Sequence, residues 1–584
     1  FRQIEGGRLD YVSIDFLAEI TMSIMQKQRS RDPSAGFARD FLPMLERVLG
    51  KLMDRGTVII TNAGGVNPEG CAESIIKMAK MLGLSPRIGV VYGDDIMSNL
   101  ADLQRSGEKF QNMETGEDFA DVANRVQAAN IYFGAWPVAE CLKDKPNIIV
   151  TGRVTDTGIS LGPMIHEFGW QKNDWDKLAS GIVAGHLIEC GSQATGGNFT
   201  DWHKVKSYDR IGYPIVEVDA DGSFVLTKHP GSGGLVSVDT AREQLFYEMG
   251  TPNTYITPDV VADFSTIQLS QEAPDRVRVT GVKGLEPTPL YKVSMAYNDG
   301  YKIQGQVLIS GPNARAKSEA FAKIFWQRCA EVKFTEIGTE HVGWNAYHHS
   351  LGHQNEANEI ILKLSARSDT QDPLKLFSKQ VPALILGGPP GVAVLGGAPK
   401  VQEVVSYWPA LMPKTKIMPK ISIISESLRT DRVLSNQIEG KFVERPCEMD
   451  QATQPTRSAE QALIQHNDAA FVDLMKICLA RSGDKGDTCN IGVMARSQKA
   501  YDFLKANLTA QVVKDWFQEL CHGKVIRYPV PNMLGFNFLL EESLGGGGTR
   551  SLRSDAQGKT FAQALLRQRM KIPLDVLRSV EGEG

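Results

Sequence analysis

The sequence predicts an α/β protein: a large doubly wound, mostly parallel sheet domain with a β-rich subdomain, and a small C-terminal α+β domain. Three observations carry this. Apolar runs such as TVIITNAGG (57–65), RIGVVYGDD (87–95) and NIIVTGRVTDTG (147–158) alternate with amphipathic stretches such as PEGCAESIIKMAKMLGL (68–84). Strands that are apolar along their whole length are buried on both faces, as in a parallel sheet covered by helices. From about 200 to 310 the texture changes to short Val/Thr/Tyr-rich segments cut by Gly, Pro and Asp, which read as the β-rich part. Beyond a polar, proline-bearing stretch, mixed strands and two helices in about 110 residues read as a small sandwich.

In chain order, this gives an α/β domain over 1–440, a linker over 441–467 and a C-terminal domain over 468–584. Within the first, NARAKSEAFAKIFWQRCAEV (313–332) is helical in period. The segment Val381 to Pro399 is uncharged for 19 residues, but its five glycines and four prolines argue for strand, turn, strand instead of a membrane span. In the last block, VDLMKICLARSGDKGDTCNIGVMARS predicts a strand, loop, strand pair, 501–520 an amphipathic helix, 525–542 strand, and 560–573 helix.

Composition narrows the function classes. The 64 Lys and Arg against 68 Asp and Glu leave a net charge of −4, so there is no global basic field to condense on nucleic acid or an anionic membrane. Eight cysteines are scattered without a CxxC pair, which fits reduced thiols in a reducing, cytoplasmic setting. A homo-oligomer is expected, with no feature that fixes its order.

The chemistry-bearing residues cluster at predicted strand ends, where ligands bind in open α/β sheets. TNAGGVNPEG offers Asn62, Gly64, Gly65 and Asn67 in a strand–turn–helix context, either as backbone donors for a small anion or as a tight turn alone. Asp94 and Asp95 follow the next strand, and Arg153, Thr155 and Asp156 the third. The carboxylates suit acid–base work and Arg153 suits a carboxylate or phosphate, against the alternative that they cap helices. HLIECGSQATGGNF sets His186, Glu189 and Cys190 within one helical turn. That set is short of a metal site, and Glu189 and Cys190 are read as acid–base or substrate-binding groups. The loop behind them adds Gln193, Thr195, Gly196, Gly197 and Asn198 as substrate contacts.

Three other features stand apart. Asp484, Lys485, Asp487 and Asn490 form a compact charged loop that either faces a ligand or pins two domains through ion pairs. His341, His348, His349 and His353 lack the acidic partner of HExxH and read as a solvated loop. The stretch from Gly545 to Lys559 carries Arg550, Arg553 and Lys559, either an anion clamp or a surface loop.

Taken in series, TNAGGVNP, YGDD, TGRVTDT, HLIECGSQATGGNF, PGSGGLVSVDTAREQLFYEMGTPNTYITPDV and LARSGDKGDTCNIGV resemble the acyclic terpene utilisation AtuA family over nearly the whole chain. The resemblance implies a ferredoxin-like C-terminal domain. It also implies a further strand and Gly-rich turn ahead of a helix carrying EGGRLDYVSIDFLAEITM, a helix already under way at Phe1. For function it implies catabolism of citronellol- or geraniol-type terpenoids through branched acyl-CoA intermediates. No cofactor is firmly implied; a CoA thioester or related carboxylate is the expected substrate, and lyase or hydro-lyase chemistry the expected reaction.

Two alternatives come from other classes. One is a non-catalytic accessory subunit or scaffold of an acyl-CoA-processing complex, in which the polar turns are structural caps. The other is a nicotinamide-dependent oxidoreductase, suggested by NAGG, but the chain's YxxxK, Tyr501 to Lys505, lies beyond the linker.

Overall fold

The computed structural model describes residues 1–17, 19–352, 356–434, 440–442, 445–455 and 468–581. Its backbone divides into two compact units. The first comprises Phe1–Tyr297, Tyr407–Cys447 and Val530–Met533; the second comprises Asn298–Ser406, Glu448–Pro529 and Leu534–Gly584.

In the first unit, β1 (Tyr11–Ile14), β2 (Val58–Thr61), β3 (Ile88–Tyr92) and β5 (Ile148–Thr151) form the predicted parallel sheet in the order β1-β2-β5-β3. It is extended past β3 by an antiparallel pair from late in the chain, Lys420–Ile424 and Arg429–Val433. Side-chain alternation explains the continuous apolar runs. Ile59, Val90, Ile148 and Val150 pack with Cys71 and Ile75 of the helix Pro68–Met81. Their neighbours Ile60, Val91 and Ile149 point to the other face, against Val138, Leu142 and Ile159. The strand β4 (Val126–Ile131) leaves this sheet and pairs antiparallel with Val293–Tyr297.

The β-rich part holds a four-stranded antiparallel sheet of Ile215–Val218, Phe224–Thr227, Gln268–Ala273 and Arg276–Thr280, and a smaller three-stranded one. A helix, Val238–Phe246, interrupts it, started by a capping box between Ser237 and Thr240. The segment expected to be one helix from Phe1 is different: Tyr11–Ile14 is β1, in register with Val58–Thr61. Its Tyr-Val-Ser-Ile composition favours a pleated strand.

In the second unit, Glu336–Val342, Glu359–Ser368, Val392–Leu395 and the strand running from Tyr301 to Ser310 make one antiparallel sheet. Ile303, Val307, Ile309, Leu362, Leu364 and Ala366 face Phe321, Phe325 and Phe377 of the helices Ala314–Arg328 and Asp372–Gly387. The expectation of strand, turn, strand over 381–399 is corrected in its first half: helix Asp372–Gly387 runs through Val381. Leu374, Phe377, Val381 and Leu384 are its buried stripe, a helical spacing visible only when the window begins before Val381.

The C-terminal part is a five-stranded antiparallel sheet in the order Asp450–Ala452, Val525–Val530, Gly535–Leu540, Thr488–Ala495 and Cys478–Lys485. The single helix expected over 501–520 is two, Gln498–Asn507 and Ala510–Trp516, because Thr509 caps a new start by accepting from Val512 N. The helix expected over 560–573 ends at Leu566, and Arg569–Pro573 pairs as a strand with Ala469–Asp473. Among the described residues no helix is long and apolar enough to cross a membrane.

Candidate functional site

The four parallel strands deliver polar side chains to one edge of the sheet. Asp15 follows β1, Asn62 follows β2, Asp94 follows β3, and Arg153 and Asp156 follow β5. Asn62 is fully buried and locks the first two tips together. Its Oδ1 accepts from Phe16 N at 2.7 Å while its Nδ2 donates to Asp15 Oδ1 at 2.5 Å. Asp15 as a residue keeps solvent access, yet protein packs round its carboxyl group. That packing, and then the negative charge of Asp156, raise its pKa to about 6 against the pull of Arg153 and Asn62.

Asp94 lies deeper. Its Oδ2 accepts from Arg153 N and from Asn130 Nδ2, both at 2.9 Å, so it fastens the tip of β5 to the tip of β3. Burial raises its pKa to about 6 despite those bonds. Arg153 is buried, spans the cation–π distance of 4.1 Å to the Tyr132 ring and donates from Nη1 to Asp156 Oδ1 at 2.6 Å. Thr155 Oγ1, between them in sequence, is buried without a hydrogen-bond partner among the described residues.

A further carboxyl group comes from the end of the helix Trp175–Glu189. His186 is buried; its Nε2 lies 3.0 Å from Gln244 O, and Gln244 Nε2 donates back to His186 O at 2.9 Å. A carbonyl only accepts, so Nε2 carries a proton and Nδ1 faces Glu189 Oε1 at 3.2 Å. Burial, with Asp156 and Glu248 nearby, pushes Glu189 up to about 7 against the opposing effect of His186. The Tyr255 ring packs edge-on against His186, and burial with the charges of Glu189 and Asp156 holds its phenol protonated. Asp156 thus acts electrostatically on both Asp15 and Glu189.

Other expected contacts are occupied by structure. Asp95 accepts from Met97 N at 3.0 Å in a local turn and pairs with Arg29 at 3.3 Å. Asn67 caps the helix Pro68–Met81 by accepting from Gly70 N. The Gly64–Gly65 turn is not an open cradle. Ala63 N donates to Thr61 Oγ1, Gly65 N to Asn62 O and Val66 N to Gly36 O, while a Cβ on Gly64 would meet Thr151 O at 2.5 Å. Cys190 differs from an activated nucleophile: burial, Glu189 and Glu248 hold its thiol protonated.

In the loop behind it, Thr195 Oγ1 donates to Ser192 O and Gly212 O, Gly196 takes φ 102° and is covered by Val205, and Gly197 N donates to Ser192 O. Asn198 Nδ2 donates to Gln193 Oε1 at 3.3 Å. These bonds shape a compact loop.

Asp484, Lys485, Asp487 and Asn490 belong to the second unit, on a tight hairpin where Lys485 pairs with Thr488. Asp487 Oδ1 accepts from Leu544 N and Gly546 N, Asp484 pairs with Lys559 at 3.4 Å, and Asn490 donates to Asn537. The hairpin therefore anchors the glycine-rich stretch after Leu544. Of the histidines, His341 and His348 are partly buried instead of solvated: His341 Nδ1 lies 2.7 Å from Ser318 Oγ, His348 Nε2 3.1 Å from Thr560 O, and burial lowers the pKa of both, while His349 is exposed as expected. His353 lies outside the described residues. Tyr501 is a core residue stacked on Phe536. Among the described residues no three His, Cys, Asp or Glu side chains group as a metal site.

Sequence reasoning missed Asp15, Asn130, Gln244 and Tyr255. Asp15 had a signal, a carboxylate directly after the short β-type run YVSI. The others gain their place only from tertiary packing.

The fold and site define an open α/β protein with a carboxylate cluster at the carboxyl edge of its parallel strands. The chain belongs to the acyclic terpene utilisation AtuA family: the model described as "Acyclic terpene utilisation family protein AtuA" matches residues 1–423, and the AtuA ferredoxin-like domain matches 472–571. Comparison with curated proteins and with solved structures gave no match.

Proposed function

We propose that the carboxylate cluster at the sheet edge is an acid–base site that adds or removes a small group across the acyl chain of a branched acyl-CoA or related carboxylate in acyclic terpenoid catabolism. The observation that carries this is two carboxyl groups with pKa values raised to about 6 and about 7, Asp15 and Glu189, with Asp156 acting on both and held by Arg153. At neutral pH such a pair supplies one ionised and one protonated partner, the requirement of a lyase or hydro-lyase. Asp15 serves as the base and Glu189 as the acid. His186 orients Glu189 as a positioning residue, and Asp94 holds the backbone of Arg153 from beneath.

The test is mass spectrometry of purified protein with saturated and α,β-unsaturated branched acyl-CoAs and their free carboxylates, scoring gain or loss of water or of a small fragment. Native mass spectra of the same samples read the oligomeric state. Asp15→Asn and Glu189→Gln should each cut conversion about 10²-fold or more while melting as the parent does. Conversion undiminished in both folded variants would remove the assignment and favour an accessory, non-catalytic role.

A further inference from the structure

The sheet of the second unit has one apolar face, packed on its helices, and one that is polar although largely buried. Period-two alternation puts Lys302, Lys363, Ser365 and Arg367 on the polar face. Lys363, Ser365 and Arg367 are 4%, 2% and 7% exposed. Over this face runs the stretch from Gly548 to Ala556, and a cavity of about 280 Å³ lies between loop and sheet, lined in part by Lys302, Lys363, Ser365, Ser551, Arg553 and Ser554.

The charges on this face are not evenly matched. Lys363 has spent its three donors, on Glu340 Oε2 at 2.6 Å, Leu552 O at 2.8 Å and Ser554 Oγ at 2.9 Å. Arg367 pairs with Asp299 at 2.6 Å and Glu336 at 3.6 Å, and Arg550 reaches the same Asp299 at 3.6 Å. Arg553 donates to the carbonyls of Leu520 and Ser543, with Asp487, Glu340 and Glu336 acting on it through space. Lys302 is different. It donates to Thr549 O, and among the described residues no carboxylate pairs with it. Burial and the neighbouring charges of Lys363 and Arg367 lower its pKa.

Ser365 adds a second, independent sign. Ser365 is one of the cavity's lining residues, and its buried Oγ, which lies against Gly338, has no hydrogen-bond partner among the described residues. An orphaned buried hydroxyl costs about 1–3 kcal/mol, so its retention on the same polar face as an ammonium that no carboxylate offsets points to an acceptor that serves both.

We propose that this cavity is a binding site for a phosphoryl group, with Lys302 as its charge partner and the hydroxyls of Ser365 and Ser551 as further donors. A tetrahedral oxyanion presents several oxygens in different directions, which suits donors from two strands and an overlying loop better than a planar carboxylate does. A lysine binds phosphate as a point charge and needs no bidentate geometry. The volume exceeds a single phosphoryl group and admits a diphosphate. This inference does not rest on the acid–base reading of the first unit, and the failure of one leaves the other standing.

The experiment is calorimetric titration of the full chain with inorganic pyrophosphate and, separately, adenosine 3′,5′-bisphosphate, at ionic strength held with chloride. Saturable binding is expected, weakened about tenfold or more in Lys302→Met and measurably in Ser365→Ala. Tighter binding of the bisphosphate would assign the phosphoryl group to a nucleotide-type ligand, and tighter binding of pyrophosphate to a free anion. In anion-free buffer Lys302→Met should melt at or near the parent temperature, since it removes a half-buried cation that no carboxylate among the described residues offsets. Absence of saturable binding, or equal affinity in the parent and in both variants, would overturn the proposal.

Discussion

Asp94 shows how a buried carboxylate can serve geometry instead of catalysis. Both of its donors, Arg153 N and Asn130 Nδ2, go to one oxygen, Oδ2. An amide oxygen can take the same two bonds, so Asp94→Asn should stay within about 1 kcal/mol of the parent and retain conversion, whereas Asp94→Ala should lose about 1–3 kcal/mol for each orphaned donor. Chemical denaturation checks both. The pH dependence has a definite sign. The folded pKa of about 6 lies above the ordinary 3.8, so the contribution of Asp94 to stability is complete below about 3.8 and is lost as pH rises through about 6. Asp94→Asn should therefore gain on the parent across that window, and a difference that grows toward acid pH instead would contradict the buried-carboxylate account.

The same residue decides a glycine. A Cβ on Gly152 would sit 2.1 Å from Asp94 Oδ1, so Gly152→Ala must displace the carboxylate that holds Arg153 N. Overpacking of this kind costs about 1–3 kcal/mol, and the variant should lose conversion more than it loses stability. Thermal melts read beside turnover separate the two. At this scale the sequence was informative about residue type more than about role. Asn62, Asp94, Arg153 and Asp156 were legible as neighbours because strand ends in a parallel sheet share an edge, while Glu189 stood out through its helical spacing from His186. The local backbone contacts of Asp95 and Asn67 stood only as an alternative, since the same residue types serve turns, caps and ligands, and only the backbone N–H that each meets distinguishes the uses.

At the scale of elements, alternation along each strand does most of the explaining. In β2, β3 and β5 it fills both faces with apolar groups, and the runs 57–61, 88–92 and 148–151 announced this plainly. In Glu359–Ser368 it divides Leu362, Leu364 and Ala366 from Lys363, Ser365 and Arg367. Leu364→Ala should cost about 2–5 kcal/mol, as expected for a fully buried leucine among Phe321, Phe325 and Phe377, and denaturant midpoints measure it. Misread elements share a cause. Windows that began inside a helix, as at Val381, or ran past a cap, as at Thr509, hid the stripe or the break that defines the boundary. Tyr11–Ile14 was hidden because it is only half-buried and its Ser13 breaks the apolar run that marks the equally short β2 and β5.

Across the whole molecule, chain order and compactness part company. Val530–Met533 belongs to the first unit although its flanks belong to the second. There, buried Arg242 donates to Met533 O, and Asn532 donates to the carbonyls of Phe264 and Ile267. The second unit likewise assembles Asn298–Ser406 with segments more than forty residues further on. A fragment ending at residue 440 lacks pieces of both units and should melt broadly and at lower temperature than the full chain; a sharp melt at the parental temperature would show that these late segments are dispensable. Such interleaving leaves no mark in composition or periodicity, which report local patterning, so sequence reading produced a linear succession of regions.

The measurement that bears most directly on the acid–base account is the pH profile of conversion of a branched acyl-CoA by the parent, Asp15→Asn and Glu189→Gln. Activity should rise as Asp15 ionises through about 6 and fall as Glu189 loses its proton through about 7, a narrow bell whose alkaline limb disappears in what remains of Glu189→Gln activity. A parental profile that is flat between roughly pH 5 and pH 8, or one that folded Asp15→Asn and Glu189→Gln reproduce unchanged, would contradict it.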